Sequence, residues 1–462
     1  MWLWGRLPEG GNRSGALQGA NLRVALVDLA GASVLGGRLE ALRGRAIVIA
    51  AREQFTAALA LLELDGVARR MVLCPPDLKR EHLPHVIESA GADVCLLDAA
   101  SADAAPADLP GRVIATAAPV SANVTRRQSC DTEWVLLTSG TTGVPKLVLH
   151  TLASLSNALI QTEQPKAPVT WGTFYDIRRY GGLQIFLRAL RSGSLVLSDS
   201  TESVPDFLAR AGRAAVSHIS GTPTHWRQAL MSGAASRIAP QYVRLSGEVA
   251  DQGILDNLRA AYPAARIAHA FASTEAGVAF EVSDGQAGFP VSLTVDSGSN
   301  VELRVDDGVL YVRSPGTATC YLGKDAPALK REDGFVTTGD RLERRGERYY
   351  FAGRSGGVIN VGGLKVHPEE VEGVINSHRW VRMSLVRARR NPLTGALVAA
   401  EVVLVDDVVA GGGGARPSDE QVRTEIIELC RQRLPPHKVP AVIRIVPALA
   451  VSASGKLVRP NA

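Results

Sequence analysis

Short apolar runs alternate with helical patterns in the first quarter of the chain. Apolar runs at 46–50, 71–75 and 94–98 have the length and composition of buried strands. Between them, apolar residues recur at helical spacing over 55–66 and 81–92. Because strands that alternate with helices form parallel sheets, this region predicts a parallel α/β sheet.

The alternation is interrupted once and then resumes. Residues 100–130 are rich in Ala, Pro and Ser, which predicts a surface linker. Beyond the linker, the pattern predicts strands at 147–151 and 194–198 and helices at 154–161 and 182–193. We therefore expect α/β structure on both sides of the linker.

The pattern changes after residue 300. Residues 302–351 surround Asp-Gly and Arg-Gly pairs with strand-like runs, which predicts antiparallel hairpins, among them a solvated one at 341–348. From about residue 355 the sequence predicts a smaller α+β lobe. Its helix over 368–377 begins with proline and two acids, and a capping box at 418–421 begins a second helix.

Composition narrows the class of protein. The chain has 462 residues, enough for two or three domains, and its 46% hydrophobic content is that of a soluble globular protein. Its net charge of +5 is mild, and no dense basic run contains aromatics, so no nucleic-acid partner is expected. Five widely spaced cysteines without a CxxC pair predict neither zinc nor disulfides and favour the cytoplasm. The sequence contains no apolar run of 18 residues, so no membrane span is expected. The oligomeric state is left open.

The segment TSGTTGVPK, residues 138–146, carries the most specific chemical signal. Its glycines allow close backbone approach, while its hydroxyls, amides and lysine suit a phosphate chain. The candidate residues are Thr138, Ser139, Gly140, Thr141, Thr142, Gly143 and Lys146. A P-loop NTPase is disfavoured because Val144 and Pro145 separate glycine from lysine, and Leu147 stands where that motif needs a hydroxyl.

This segment resembles the phosphate loop of the adenylate-forming superfamily, which includes acyl-CoA synthetases, carrier-protein adenylation domains and luciferases. Further segments resemble that family's motifs and follow in its order, at 271–277, 333–340, 353–372 and 452–459. Weaker similarity at 219–230 and 246–250 fills the gaps. The resemblance covers nearly the whole chain, from about residue 50 to 460.

The segment FASTEAG would supply one side of the nucleotide site. The resemblance implies that Phe271 stacks on adenine, that Thr274 contacts the α-phosphate, and that Glu275 holds Mg²⁺. Ala272 and Ser273 belong to the same motif. A carboxylate suits the metal, because Mg²⁺ takes one or two carboxylates together with phosphate oxygens. Read alone, this segment is typical of a helix start.

The remaining nucleotide contacts come from separate segments. The resemblance implies that Gly247 and Glu248 lie along adenine and that Asp340 receives both ribose hydroxyls, which a carboxylate accepts well. Arg354 would contact ribose or phosphate. Lys456 matches the adenylating lysine, whose ammonium can neutralise the carboxylate and α-phosphate as they meet.

Two further sets of residues are expected at the acyl and thiol sites. Tyr180, Gly181 and Thr222 fall in segments that resemble the lining of the acyl pocket. Gly362 and Gly363 belong to a turn that resembles the backbone lining the pantetheine tunnel of CoA. The turn suits CoA and a carrier-protein phosphopantetheine arm equally.

Several positions depart from the family pattern. Gly357 is expected to act as a hinge, because glycine absorbs large φ/ψ changes, although a usual acidic pair or lysine is missing there. Asp176 does not match the amine-binding aspartate of amino-acid adenylation domains. Arg178 and Arg179 are interpreted as surface charges, with contact to an acidic substrate as the alternative. The region before the phosphate loop is shorter than is usual in the family.

The resemblance implies an α/β fold with a large N-terminal domain of stacked sheets and a small distorted barrel, residues 1–353. A hinge at 354–357 and a small mobile α+β domain at 358–462 would follow. The implied function is an acid–thiol ligase that uses ATP, Mg²⁺ and a carboxylic acid, and passes the acyl group to CoA. The alternatives are an enzyme that loads a carrier protein and a homologue that binds nucleotide without turnover.

Overall fold

The computed structural model of the chain describes residues 3, 15–103, 106, 109–122, 127–138, 143–160, 167–199, 201–295, 300–354, 357–391, 395–405 and 417–459. The helices are α1 (Gln54–Leu64), α2 (Leu83–Ala90), α3 (Ala99–Ala102), α4 (Leu152–Ile160), α5 (Tyr180–Ser192), α6 (Val204–Arg213), α7 (Pro223–Met231), α8 (Gln252–Ala261), α9 (Pro368–Ile375) and α10 (Asp419–Arg433). Short 3₁₀ helices span Asp28–Gly31, Glu40–Leu42, Arg80–His82, Ala234–Arg237, Val291–Thr294 and Pro436–Lys438.

The strands belong to two large mixed sheets, one antiparallel sheet and smaller ones. They are β1 (Ala16–Gln18), β2 (Arg23–Ala25), β3 (Ala32–Ser33), β4 (Ala46–Ile49), β5 (Arg70–Leu73), β6 (Val94–Asp98), β7 (Val113–Ala115), β8 (Val120–Ser121), β9 (Glu133–Thr138), β10 (Lys146–Thr151), β11 (Val169–Thr173), β12 (Gly193–Leu197), β13 (His218–Gly221), β14 (Tyr242–Ser246), β15 (Arg266–Ser273), β16 (Gly277–Val282), β17 (Phe289–Pro290), β18 (Glu302–Asp306), β19 (Val309–Arg313), β20 (Cys320–Leu322), β21 (Val336–Arg345), β22 (Arg348–Arg354), β23 (Ile359–Val361), β24 (Leu364–Val366), β25 (Val381–Asn391), β26 (Gly395–Leu404) and β27 (Val442–Ile445).

The seven-stranded sheet has the order β20-β10-β9-β5-β4-β6-β7. Strands β4, β5, β6, β7 and β9 run parallel, while β10 and β20 add an antiparallel edge. Every residue of β4 is buried, as expected of parallel strands covered on both faces.

The eight-stranded sheet has the order β16-β15-β14-β13-β11-β12-β1-β2. Its six central strands are parallel, and β16 and β2 close its edges in antiparallel fashion. All eleven residues of α1 are buried, and one hydrophobic cluster joins α1 and α5 to strands of both large sheets. Helix α1 is apolar on every side because its whole surface packs inside the protein.

The antiparallel sheet β17-β22-β21-β19-β18 and the C-terminal lobe complete the described fold. In that lobe, α9 and α10 share a hydrophobic cluster with the sheet β25-β26-β27. Ser418 caps α10 through a capping box with Gln421, as the sequence predicts. The expected fold class, stacked α/β sheets with a further β unit and a small α+β lobe, is confirmed.

Most predicted elements are confirmed to within a few residues at their ends. The hairpins β18–β19 and β21–β22 stand where Asp-Gly and Arg-Gly turns predict them. The prediction of a plain linker over 100–130 is wrong in part, because β7 pairs with β6 and buries Val113 and Ala115. Among the described residues, no helix combines the length and apolar character that crossing a bilayer requires.

Candidate active site

The carboxyl ends of three neighbouring parallel strands form one edge of the eight-stranded sheet. Strands β13, β14 and β15 pair in register and end at Gly221, Ser246 and Ser273. Ligands of open α/β sheets bind outside this end of the strands. The predicted residues Gly247, Glu248, Thr274 and Glu275, together with Thr222, follow directly after these strand ends. The fold therefore brings together three segments that the sequence keeps separate.

Lys456 reaches this edge from the C-terminal lobe. A Cβ atom placed on Gly247 would lie 3.2 Å from Lys456 Cε, so the two residues are neighbours, and the φ of +88° at Gly247 favours glycine. Glu248 Oε1 accepts a hydrogen bond of 3.1 Å from the Leu457 amide, and its Oε2 accepts one of 3.0 Å from the Thr224 amide. The carboxylate of Glu248 thus links segment 452–459, called the lysine loop below, to the start of α7.

The electrostatic surroundings of Lys456 are mixed. Lys456 is exposed, yet the surrounding protein lowers its pKa. Desolvation is the largest cause, and the charges of Arg354 and Arg179 act in the same direction. The carboxylates of Glu248 and Asp340 oppose this effect. These five charged groups therefore lie within electrostatic reach of one another.

Thr222 joins the two lobes directly. Its hydroxyl caps α7 by accepting a hydrogen bond from the His225 amide, and it donates one of 2.6 Å to the Gly455 carbonyl. Gly455 has a φ of +71°, and a Cβ atom there would lie 1.8 Å from the His225 ring. Burial lowers the pKa of His225 to about 4, and its ring stacks on Phe174. Thr222 therefore contacts the C-terminal lobe, and its place in the acyl pocket stays a prediction.

Asp340 and Arg354 face each other across the hairpin β21–β22. Arg354 Nε donates a hydrogen bond of 3.2 Å to Asp340 Oδ1. Asp340 is 9% exposed, and its buried Oδ2 has no hydrogen-bond partner. Burial raises the pKa of Asp340, and Arg354 opposes the shift. An orphaned acceptor beside an exposed guanidinium fits a ligand that brings hydroxyl donors and negative charge, as a ribose phosphate does.

Thr274 and Glu275 lie in the turn between β15 and β16, so the helix start suggested by the local sequence is wrong. Tyr321 on β20 donates a hydrogen bond of 3.2 Å to Glu275 Oε1. Lys146 Nζ lies 5.2 Å from the centre of the Tyr321 ring. Tyr321 thus connects the predicted metal carboxylate with the predicted phosphate lysine.

The surroundings of Glu275 suit a role in binding Mg²⁺ together with phosphate oxygens. The described residues include no cluster of three or more His, Cys, Asp or Glu that could hold a metal alone. Mg²⁺ needs no such cluster when phosphate oxygens complete its shell. A single carboxylate with one oxygen left free by Tyr321 suits that mode of binding.

A buried histidine fixes the backbone of the same turn. His150 Nε2 lies 2.7 Å from the Thr274 carbonyl, and its Nδ1 lies 2.9 Å from Ser154 Oγ. Burial lowers the pKa of His150 to about 4, so the ring is neutral at pH 7. Because a carbonyl only accepts, Nε2 carries the proton and donates to Thr274.

The phosphate loop closes a hairpin. Its two ends, Thr138 and Lys146, pair across β9 and β10, and Gly143 has a φ of +84°. Ser139, Gly140, Thr141 and Thr142 lie outside the described residues. A strand–loop–strand arrangement agrees with the interpretation that this is not a P-loop, which joins a strand to a helix.

Phe271 packs within a group of aromatic rings. Its ring lies nearly parallel to those of Phe351 and Phe280, with centroid distances of 5.0 and 5.7 Å. The side chain is half-buried, so part of its surface already serves the hydrophobic cluster below the edge. Ala272 and Ser273 complete β15, and the Ser273 hydroxyl accepts a hydrogen bond from the Ala276 amide.

The segment expected to line the acyl pocket begins α5. Tyr180 is buried, its ring centre lies 5.7 Å from that of His150, and Gly181 leaves room beside Tyr175. The interpretation of Arg178 as a surface charge is wrong. Arg178 is 1% exposed, because Asp176 and two backbone carbonyls bind its guanidinium.

Two predicted residues of the C-terminal lobe lie in an exposed turn. Gly362 and Gly363 form the turn between β23 and β24, with φ of +57° and +88°, and both are exposed. Nothing lies within 4 Å of a Cβ atom placed on Gly363, and Leu364 beside it is 52% exposed. Gly357, the predicted hinge, donates a hydrogen bond of 3.0 Å to the Arg354 carbonyl.

Sequence reasoning did not identify Tyr321, His150 or His225. Tyr321 and His150 reach the site through contacts that are remote in sequence. His225 lies in the capping box that Thr222 begins, but only the fold brings its ring against Gly455. Arg179 is different, because it was named as a charge that could meet an acidic group. It forms an ion pair with Asp77 and also lies near Lys456.

These features define a two-lobed nucleotide-binding α/β protein whose C-terminal lobe places a lysine at the carboxyl edge of a sheet. The chain belongs to the AMP-binding enzyme family. The family model "AMP-binding enzyme" matches residues 32–322, and "AMP-binding enzyme C-terminal domain" matches residues 370–456.

The chain is also similar to individual members. It is 24% identical over 421 residues to 2-succinylbenzoate–CoA ligase of Bacillus subtilis (strain 168), covering 86% of this chain and 79% of that protein. It is 25% identical over 374 residues to mitochondrial acyl-coenzyme A synthetase ACSM5 of Mus musculus, covering 75% of this chain and 63% of that protein. The solved structure of amide bond synthetase McbA from Marinactinospora thermotolerans superposes with a TM-score of 0.79 at 20% identity, covering 98% and 97% of the two chains.

Proposed function

We propose that this protein is an acid–thiol ligase that acts in two steps. In the first, a carboxylate oxygen of the acid attacks the α-phosphorus of ATP, which forms an acyl-adenylate and releases pyrophosphate. In the second, a thiolate attacks the acyl carbon, which forms a thioester and releases AMP. The observation that carries the proposal is the position of Lys456 at the edge where Gly247, Glu248, Asp340 and Arg354 meet.

The first step joins two anions that repel each other. The ammonium of Lys456 can neutralise both as they approach, and Arg354 adds a second positive charge to the same cleft. The free Oδ2 of Asp340 suits a ribose hydroxyl. The role of this chain is then to position the reactants and to offset their charge.

The phosphate chain would lie between the two sheets' edges. In this proposal, Lys146 and the loop from Thr138 to Gly143 hold the β- and γ-phosphates, and Glu275 holds Mg²⁺. The metal would supply positive charge on the phosphate oxygens. The hydrogen bond from Tyr321 orients Glu275, and neutral His150 holds the Thr274 carbonyl in place.

The second step requires another part of the C-terminal lobe. The turn at Gly362 and Gly363 is proposed to line the path of the thiol, yet it is exposed in this structure. We therefore propose that residues 358–462 rotate about 354–357 between steps, with Gly357 as pivot. The contact from Gly455 to Thr222 then belongs to the first step alone.

CoA is the proposed acceptor. Relatives named as CoA ligases support this choice. A carrier-protein phosphopantetheine arm remains the second candidate, since its thiol is the same. The third candidate, a homologue without turnover, is opposed by the presence of Lys456, Glu275 and Asp340 together.

Acid-dependent release of pyrophosphate tests the proposal. A panel of carboxylic acids is incubated with ATP and Mg²⁺, with hydroxylamine to trap the acyl-adenylate as a hydroxamate. We expect release with some acids without CoA, and multiple turnovers with formation of a thioester when CoA is added. Hydroxamate without any CoA thioester, but with loading of a phosphopantetheinylated carrier protein, would favour the second candidate. Nucleotide binding without pyrophosphate release from any acid would contradict both.

A further inference from the structure

Two arginines lie within electrostatic reach of each other beneath the site, with Arg244 buried and Arg188 partly exposed. Arg244 projects from the middle of β14, and Arg188 lies on α5 two turns beyond Tyr180. Both approach Glu281 of β16, and Arg244 Nε donates a hydrogen bond of 3.2 Å to Glu281 Oε2. Burial lowers the pKa of Arg188, and the nearby charge of Arg244 lowers it further. The two guanidinium groups therefore repel each other in a desolvated place.

The two positive charges of Arg188 and Arg244 are not balanced by the carboxylate of Glu281. Arg188 makes no side-chain hydrogen bond or ion pair with any described residue, and its buried Nε has no partner. Arg244 is 2% exposed and its Nη2 is also without a partner. Glu281 supplies one carboxylate and shares it with Arg266, whose Nη2 lies 3.2 Å away. Leaving a buried cation unpaired is costly unless another group satisfies it.

An acceptor in the same layer is orphaned as well. Gln184, one turn from both Tyr180 and Arg188 on α5, donates to the Leu155 carbonyl but leaves its buried Oε1 without a partner. Three unsatisfied polar atoms thus occur on the residues Gln184, Arg188 and Arg244. Native proteins rarely leave buried polar groups unpaired, so such a concentration indicates a place for a polar ligand.

This layer is continuous with the proposed acyl site. Arg244 precedes Ser246 by two residues, so it lies about 7 Å below the end of β14 at the usual strand rise. Tyr175 Oη donates a hydrogen bond of 2.7 Å to the Ser246 carbonyl, and Tyr175 also lies close to Arg244. One residue further along, Gly247 meets Lys456. An acid with its reacting carboxylate at Lys456 would extend its other end toward the arginine pair.

We propose that Arg188 and Arg244 bind a second carboxylate at the far end of the substrate, so that this ligase acts on dicarboxylic acids. The inference rests on the proposed function and names the substrate class of the same site. Arginine suits this task because its planar fork donates two parallel hydrogen bonds to a carboxylate. A second carboxylate would also neutralise the excess charge left by Glu281.

Matched acids test the preference. Pyrophosphate release is measured with pairs of equal chain length, hexanoic and adipic, heptanoic and pimelic, octanoic and suberic acid, and with benzoic against isophthalic and terephthalic acid. Charge-assisted hydrogen bonds predict that kcat/KM favours the diacid about 10- to 100-fold in at least one pair. A preference for the monoacid in every pair would overturn this inference while leaving the ligase proposal intact.

Arg188→Met separates recognition from a structural role. We expect it to lower kcat/KM for the preferred diacid at least about 10-fold, to leave the matched monoacid and the KM for ATP unchanged, and to keep or raise the Tm. The Tm should not fall, because the change removes a guanidinium whose buried Nε has no partner among the described residues. Arg191→Met is the control on the same helix, since Arg191 binds the Leu159 carbonyl. Equal losses for both acids with a lower Tm would show that Arg188 is structural.

A binding measurement does not depend on turnover. Calorimetry with the diacids alone is expected to show binding to the full chain that Arg188→Met weakens at least about 10-fold and Arg191→Met does not. If no diacid binds, or if both variants bind equally well, the inference is wrong. If diacids bind but no acid yields pyrophosphate, the proposed function fails and the subsite stands.

Discussion

The lysine loop and the Gly362–Gly363 turn, two parts of the C-terminal lobe, differ in their surroundings. The lysine loop is fastened to the large lobe through Thr222 and Glu248, and Gly455 fits against His225 with no room for a side chain. The Gly362–Gly363 turn belongs to the same lobe and has the same need for positive φ, but it is exposed, and nothing lies within 4 Å of a Cβ atom placed on Gly363. In the orientation described, the lysine loop contacts the large lobe and the turn is exposed. This difference supports the proposal that the orientation serves the first step and that the second step uses another.

The largest effect is expected where the lysine loop fits most closely. Gly455→Ala places a Cβ atom against the His225 ring and strains a φ of +71°. Displacing Lys456 by even 1 Å should lower acyl-adenylate formation by more than about 100-fold. Single-turnover hydroxamate formation measures this step. Gly373→Ala is the control, because that glycine lies in α9 with nothing within 4 Å of an added Cβ.

A change on the large lobe should affect the same step without loosening the loop. Glu275→Gln removes the charge proposed to hold Mg²⁺ but keeps a group that accepts from Tyr321. We expect adenylate formation to fall about 100-fold, with a higher Mg²⁺ requirement. A Mg²⁺ titration of pyrophosphate release provides the measurement. Unchanged Mg²⁺ dependence would mean that Glu275 only shapes the turn.

The exposed turn should behave in the opposite way. Gly363→Ala strains a φ of +88°, which costs about 1–2 kcal/mol and should reshape the turn. We expect thioester formation from a supplied acyl-adenylate to fall about 5- to 30-fold while adenylate formation is unchanged. Stopped-flow assay of both steps distinguishes them. Loss of acyl-adenylate formation would show that the turn serves the first step as well, like the lysine loop.

The pivot can be tested at Gly357. Because the Gly357 amide donates to Arg354, Gly357→Pro both fixes φ and removes this hydrogen bond. Gly357→Ala keeps the bond and is the matched control. Reduced thioester formation with retained single-turnover pyrophosphate release is expected only for proline. If both steps fall together, Gly357 is not the pivot.

The smallest expected effect is on the pH profile. Adenylate formation needs protonated Lys456, whose pKa is lowered chiefly by desolvation, so the rate should fall on the alkaline side at a lower pH than for an ordinary lysine. Glu248→Gln removes a charge that raises this pKa and should move the alkaline limb to lower pH. Arg179→Met removes a charge that lowers it and should move the limb to higher pH. Shifts in the same direction would show that the limb reports another group.

The local parts of this picture were predictable from the sequence. Strands such as β4 and β6 and the cap of α10 follow from patterns within a few residues, and the order of motifs identified the candidates at the sheet edge. The buried strand β7 was missed because its Ala- and Pro-rich flanks resemble a linker.

Other features depend on contacts between distant residues. Tyr321 reaches Glu275 only because β20 pairs with β10, far away in the chain. Arg178 looked like a surface charge because its burial depends on Asp176 and on backbone carbonyls more than 100 residues away. Arg188, Arg244 and Glu281 meet only through the pairing of β14–β16 and the packing of α5, which no local pattern reveals.

Lys456→Ala, assayed separately in the two steps, tests the central claim most directly. Acid and ATP are supplied in one single-turnover experiment, and synthetic acyl-adenylate with CoA in the other. Because the proposed rotation carries Lys456 away from the sheet edge before the second step, acyl-adenylate formation should be abolished while the supplied adenylate is converted to thioester at nearly the wild-type rate. If the variant uses the supplied adenylate no better than acid and ATP, the proposal that Lys456 and the Gly362–Gly363 turn serve different steps is wrong.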